Sequence, residues 1–264
     1  MSHFPVLSKQ IIAQNIKRMD ISAPDIAKSA RPGQFVLLMA DEGSLRLPFP
    51  IVETNPQKGS IAIVFKEESL SAQKLGSLSI GQSLYVVMGP LGNPDLPKEI
   101  GTSVCIGYEL GIAHIVPISR YLQKQGNKNF GILGTATKRN LVMESQMRLS
   151  CQSIFVMSED GSAGKKGLVT DALRETLARY PVDQIFMAAP SKVIQEVLPI
   201  AQEKNIKLKA LLTPLALSGI GFCGTDEIKM KKGYASFSAD GPIFDAGLID
   251  FNIYDARVAR TYGE

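Results

Sequence analysis

The first third of the chain is written in short apolar runs closed by turn residues. FVLLMA at 35–40, IAIVF at 61–65 and LYVVM at 84–88 are strand-length, and RPGQ and SIGQ supply turns. Strands of this size at this spacing predict an antiparallel barrel. After GPLGNPDLP the rhythm changes to apolar strands alternating with amphipathic helices. SVCIG precedes a helix near 112–125, FGILG one near 138–148, SIFVM one near 169–179 and QIFMAA one near 191–204. Such alternation predicts a parallel sheet covered on both faces. From about 213 the periodicity breaks into a Gly-rich stretch, too short to hold a core of its own. The pattern divides the chain into a barrel at 1–98, an α/β domain at 99–212 and a small C-terminal lobe at 213–264, which is expected to pack on the second domain.

Composition narrows what this architecture serves. A chain of 264 residues, 45% hydrophobic and 20% charged, can bury a substantial core. No apolar run approaches the roughly 20 residues that span a bilayer. The start MSHFPVLSKQ lacks the basic residues and apolar stretch of a secretory signal, so a cytoplasmic protein without membrane insertion is expected. A net charge of +4, spread among acids, fits a solvated surface and argues against nucleic acid as a partner. Cys105, Cys151 and Cys223 are far apart and form no CxxC pair, so they build neither a disulfide framework nor a four-cysteine metal site.

Six segments have the residue types for chemistry, and each has a plainer structural alternative. In LRLPFPIVE (45–53), Arg46 could pair with a phosphate while the extended backbone of Phe49 to Ile51 lies against a flat ring. An edge strand with a surface arginine accounts for it equally well. In VFKEESLSAQKLGSL the strand ends at Phe65 and a turn opens a helix near Leu70, whose N–H groups favour an anion; an ordinary helix capped by Ser69 is the alternative. GPLGNP (89–94) needs no more than a turn role for Gly89 and Gly92. VCIGYELGIAH is strand, glycine turn and helix, where a pyrophosphate could rest near Gly111, yet Glu109 brings a negative charge there. The loop from Asp160 to Gly167 could position ribose hydroxyls and phosphates, with Lys138 and Arg139 near a 2′-phosphate, or could be a plain surface loop. Cys223 in GFCGTDEI could be a ligand or a reactive thiol, or simply a buried structural cysteine.

Taken in order, these segments resemble the small subunit of NADH-dependent reduced ferredoxin:NADP oxidoreductase, called sulfide dehydrogenase in some members, and the electron-transfer subunit of dihydroorotate dehydrogenase. The resemblance runs from AQNIKRMDISAPDIAKSARPGQFVLL through ADGPIFDAGLIDF, nearly the whole chain. It implies a ferredoxin reductase-like fold: an antiparallel Greek-key FAD-binding barrel, a Rossmann-like parallel-sheet NAD(P)-binding domain, and a lobe that in the family carries a two-iron two-sulfur cluster. Carried over residue by residue, it implies FAD contacts at Arg46, Pro48, Phe49 and Ile51, with Pro50 where the family writes Ser or Thr. It implies further contacts at Val64, Phe65 and Lys66, and at Leu70, Ser71 and Ala72, along the ribityl chain and pyrophosphate. The family's GGGxGIAP loop stands here as GYELGIAH. Gly107 and Gly111 remain, Tyr108 and Glu109 replace two glycines, and His114 replaces the proline. EDGSAGKKGLVTD keeps the family's DGSxGxKGxVTD pattern, including Asp160, Gly161 and Ser162, so NAD(P) binding stays open. In the lobe Cys223 is kept, but Asp226 and Ser238 stand at two cysteine positions, and Ser218 where an acidic ligand can occur. Clusters are held chiefly by thiolates, so this set argues against a two-iron two-sulfur cluster.

The resemblance implies a flavoprotein oxidoreductase subunit with no general acid or base assigned. It would pass electrons between NAD(P)H, ferredoxin or another carrier and a larger redox subunit of a heteromeric complex. The alternative is a degenerate, non-catalytic scaffold or assembly subunit on the same fold.

Overall fold

The computed structural model describes residues 3–214 and 226–262. These fall into two compact units, one drawn from 1–94, 213–242 and 249–264 and the other from 95–212 and 243–248.

In the first unit β1 (Phe4–Ala13), β2 (Ile16–Ser22), β3 (Phe35–Met39), β4 (Leu47–Asn55), β5 (Ser60–Lys66), β6 (Ser83–Leu84) and β7 (Val86–Leu91) form one antiparallel sheet. Its order is β6-β1-β2-β5-β4-β3-β7, so the chain leaves β2 for β3 across two strands, as a Greek key does. The edge strands β6 and β7 are separated in sequence by Tyr85 alone, so the sheet curls nearly closed. Period-two alternation turns Leu47, Phe49 and Ile51 of β4 and Ile61, Ile63 and Phe65 of β5 into one apolar core. Phe49 and Phe65 meet there edge to face, with ring centroids 5.4 Å apart. Two short helices, α1 (Pro24–Ser29) and α2 (Leu70–Ser77), complete the barrel, and Leu75 of α2 joins the core.

The second unit holds β8 (Thr102–Tyr108), β9 (Lys128–Thr135), β10 (Ser153–Ser158), β11 (Lys165–Lys166), β12 (Gln184–Ala188) and β13 (Lys207–Leu211). Their order, β11-β10-β9-β8-β12-β13, is parallel throughout. The helices α3 (Leu110–Lys124), α5 (Val169–Arg179) and α6 (Ser191–Glu203) lie close to where the periodicity places them. The helix expected near 138–148 is a correction. It is split into a 3₁₀ turn at Lys138–Asn140 and a short helix α4 (Glu144–Arg148), because Leu141 is extended and Met143 is left-handed at φ 50°. Within this unit Asn129 accepts from Ser103 Oγ (2.8 Å) and donates to the carbonyls of Ser119 (2.8 Å) and Ser150 (3.1 Å). Burial pushes the Cys105 and Cys151 thiols up, which disfavours the reactive thiolate.

The C-terminal segment departs from expectation. Its hairpin β14 (Glu227–Lys229) and β15 (Tyr234–Ser236) and the helix α7 (Phe251–Tyr262) group with the barrel, not with the second unit. The physical tie is the GPLGNP turn. Gly92 N–H donates to the Ser238 carbonyl (3.2 Å) and Asn93 N–H to that of Gly241 (2.7 Å). Gly92 sits at φ 92°, and a Cβ on it would come within 2.8 Å of the Gly241 oxygen, so only glycine permits this approach. Only β16 (Ile243–Asp245) belongs to the second sheet, as an antiparallel edge on β13.

Candidate cofactor site

The barrel ladder forks where the flavin segments lie. β4 pairs with β5 only from Ile51↔Ile63 onward, with an irregularity between Ile51 and Glu53. Before that point β4 turns to β3, through Phe35↔Pro50, Val36↔Phe49 and Leu37↔Pro48. β5 keeps its other edge on β2 throughout, from Ser22↔Ser60 to Ile16↔Lys66, so beyond Ile63 its edge toward β4 is left unpaired. Pro48–Pro50 and Val64–Lys66 therefore border the fork, and they present main chain to it because strand edges lie in the sheet plane. Phe49, Ile51 and Phe65 spend their side chains in the core, so a flat ring in the fork would meet their backbone. Pro48 and Pro50 carry no N–H, and Phe49 between them is paired with Val36 of β3.

Two features beside the fork suit an anion. Arg46 is exposed, and its guanidinium Nε lies 3.4 Å from Met39 Sδ, a weak acceptor. Helix α2 starts next to it: Ser69 Oγ accepts the Ala72 N–H (3.2 Å), and Ser71 Oγ accepts the Leu45 N–H (3.0 Å). The second bond fastens the helix start to the loop bearing Arg46. First-turn N–H groups have no intrahelical acceptor and favour negative charge. Leu70 is exposed at this start, Ser71 and Ala72 are buried, and Lys66 is half-buried and pairs with Glu68 at 2.6 Å. A fork for a flat ring, a free-standing guanidinium and a helix start fit FAD.

The second unit gives a different picture. Its sheet reverses winding between β8 and β12, the topological switch point where open α/β sheets bind ligands. The two glycines kept at this point have packing reasons. A Cβ on Gly107 would lie 2.5 Å from Ile112 Cα, and one on Gly111 would overlap the Ala188 carbonyl oxygen, so both let α3 lie close on β8 and β12. The two replaced glycines now carry side chains across the strand ends. Tyr108 lies over Gly134 of β9, where an added Cβ would be 2.8 Å from its ring, and its hydroxyl donates to Glu159 Oε1 at 2.6 Å. Burial first, then the bond to Glu159, hold its phenol protonated well above the usual range. Glu109, at φ 48°, accepts from Asn140 Nδ2 (2.9 Å) and Ala136 N (3.3 Å). Glu159, Asn140 and Ala136 have no motif signal in the sequence. They lie far along the chain and reach the loop only through the fold.

The 160–167 loop is also explained from within. Gly161 and Gly164 have φ 80° and 60°, and a Cβ on Gly164 would overlap the Val156 oxygen. Asp160 accepts from Ser162 Oγ (2.6 Å) and N (2.9 Å), which holds its carboxyl below the usual range, and Ser162 Oγ accepts from Lys138 N (2.7 Å). Asp171 Oδ2 takes the Leu168 N–H at 2.9 Å, capping α5. Asp160, Ser162, Asp171 and the glycines of the DGSxGxKGxVTD pattern thus have roles within the turn and cap themselves. A cleft of about 520 Å³ beside it is lined by Lys138, Arg148, Phe155, Ser162, Lys165 and Glu175. Arg148 and Lys165 there are paired with Glu144 and Glu175.

At the family's cluster positions, Cys223 and Ser218 lie outside the described residues. Asp226 is fully buried. Its Oδ2 accepts from Ser236 Oγ (2.7 Å), from Ser238 N (3.1 Å) and from Ser238 Oγ. Two former thiolate positions are therefore bonded to each other as carboxylate and hydroxyl. Asp226 Oδ1 is buried without a hydrogen-bond partner among the described residues, but a carboxylate and a hydroxyl in place of two thiolates do not fit an iron–sulfur cluster. Ser238→Ala should lower stability by about 1–2 kcal/mol while leaving FAD content unchanged, read by thermal melting beside flavin absorbance.

No family model matches the chain. The architecture is that of ferredoxin reductases: the ferredoxin reductase of carbazole 1,9a-dioxygenase superposes with a TM-score of 0.61 at 17% identity, covering 77% of this chain and 65% of that one, a likeness of fold alone. Within that class, a chain of the NADH-dependent reduced ferredoxin-NADP oxidoreductase structure, solved in a study of flavin-based electron bifurcation, matches with a TM-score of 0.92. It is 29% identical and covers 98% of this chain and 94% of that one. A Thermotoga maritima protein named dihydroorotate dehydrogenase B (NAD(+)), electron transfer subunit homolog is 29% identical over 255 residues, 97% of this chain and 90% of its own. Both comparisons bear out the resemblance read from the sequence.

Proposed function

We propose that the chain is an FAD-containing electron-transfer subunit that passes electrons between NAD(P)H or another carrier, such as ferredoxin, and a larger redox partner in a heteromeric complex of the cytoplasm. The observation that carries this reading is the β4–β5 fork with Arg46 and the α2 start beside it, in a chain akin to electron-transfer subunits over nearly its full length. When bound, FAD supplies hydride acceptance and release of single electrons. The chain's own residues bind and orient. The Pro48–Pro50 and Val64–Lys66 main chain frames the ring, while Arg46 and the α2 N–H groups hold the phosphates. No side chain needs to move a proton for this role, and none is assigned one. Among the described residues no helix is long and apolar enough to cross a membrane.

The second reading, a non-catalytic scaffold or assembly subunit, draws support from the side chains over the nucleotide crevice and from the Asp226–Ser238 pair. Reconstitution separates the two. Titrating the purified chain with FAD should quench flavin fluorescence to saturation near one FAD per chain; no saturation would leave the scaffold.

A further inference from the structure

At the switch point of the second unit's sheet two half-buried side chains, Tyr108 and Glu109, stand on the turn between β8 and α3. We propose that Tyr108 and Glu109 form a built-in barrier that excludes the pyrophosphate of NADH and NADPH, so that electrons enter this subunit from a protein-borne carrier. The inference rests on the electron-transfer reading above and selects among its carriers.

Three observations carry it. First, the open end of a parallel sheet binds a dinucleotide at the switch point, where a glycine turn lets phosphate approach the backbone. The glycines kept here, Gly107 and Gly111, serve helix–strand contact, and the approach positions hold a phenol and a carboxylate. Second, these side chains are anchored. Tyr108 is held by Glu159 at 2.6 Å, and Glu109 by Asn140 at 2.9 Å and Ala136 at 3.3 Å. Clearing the crevice would break all three bonds. Third, Glu109 stands at the N-cap position of α3 with no side-chain bond to the helix, and its carboxylate brings negative charge beside a helix start that otherwise attracts a phosphate, while its partners are donors an incoming phosphate could have used. Lys138 and Arg139 follow in the next turn, exposed, and their charge does not reopen donors already bonded.

The backbone at Glu109 has a positive φ, a region that favours glycine. A non-glycine residue at φ 48° is strained, so glycine there relieves strain as it removes the charge. Glu109→Gly is therefore a variant expected to fold, and it guards the test against a failure of the double variant.

The test is calorimetric titration of the full FAD-loaded chain with NADH and with NADPH. The wild type should show no saturable binding up to millimolar nucleotide. Glu109→Gly should bind measurably, and Tyr108→Gly/Glu109→Gly should bind at least ~10-fold tighter than wild type. Saturable submillimolar binding by the wild type would overturn the proposal. So would folded variants, checked by circular dichroism, that bind no better. Flavin content read on the same samples tests the electron-transfer reading separately, since a chain without flavin would sink that reading while the calorimetry still decides the barrier.

Discussion

Arg46→Ala is expected to weaken FAD binding by about 10–100-fold, the loss of one charge-assisted bond to phosphate worth about 1.5–3 kcal/mol. The fold should be untouched, because the side chain is exposed and bonds only weakly, to the Met39 sulfur. Arg46→Lys should recover part of the affinity, since an ammonium keeps the charge but loses the planar fork. Fluorescence titration with FAD checks both variants. Equal affinity for wild type and Arg46→Ala would place the phosphate elsewhere.

Gly111→Ala should destabilise the second unit by about 3 kcal/mol, at the upper end for forcing an extra carbon into a packed site. The added Cβ would overlap the Ala188 carbonyl, which is main chain and has no rotamer by which to yield. Helix α3 would have to lift from β12, exposing some of Ile112, Ile115 and Val116, now fully buried. Thermal melting should register a drop of roughly 10 °C. An unchanged melt would mean that α3 does not sit this close to the sheet.

Much of this architecture is legible in the chain because it is periodic. Alternation in IAIVF and FVLLMA marks barrel strands, and the stripe Ile112, Ile115, Val116, Leu122 marks α3. What escaped has physical causes. The break after Asn140 depends on the left-handed Met143, which no side-chain pattern announces. β16 is three residues long and exists only because β13 offers an edge. The lobe's attachment to the barrel rests on main-chain bonds at Gly92 and Asn93, invisible to a hydropathy pattern.

The site was legible in a similar, partial way. Arg46 and the Pro-flanked run could be singled out by residue type, but the fork that makes sense of them arises from pairing among four strands. The side chains of Phe49, Ile51 and Phe65 belong to the core, which leaves their backbone for a ring. The loss of two glycines at 108 and 109 is plain to read. Where the new side chains go is not, because their partners Glu159 and Asn140 lie 51 and 31 residues away.

The proposed function requires a redox-active flavin in this barrel and no iron–sulfur cluster in the C-terminal lobe. An anaerobic reductive titration of the FAD-reconstituted chain, followed by visible absorbance, reads both at once. Flavin bands should bleach on reduction, with no additional absorbance from an iron–sulfur centre. A spectrum without flavin bands after reconstitution, or one dominated by an iron–sulfur chromophore, would contradict the proposed function.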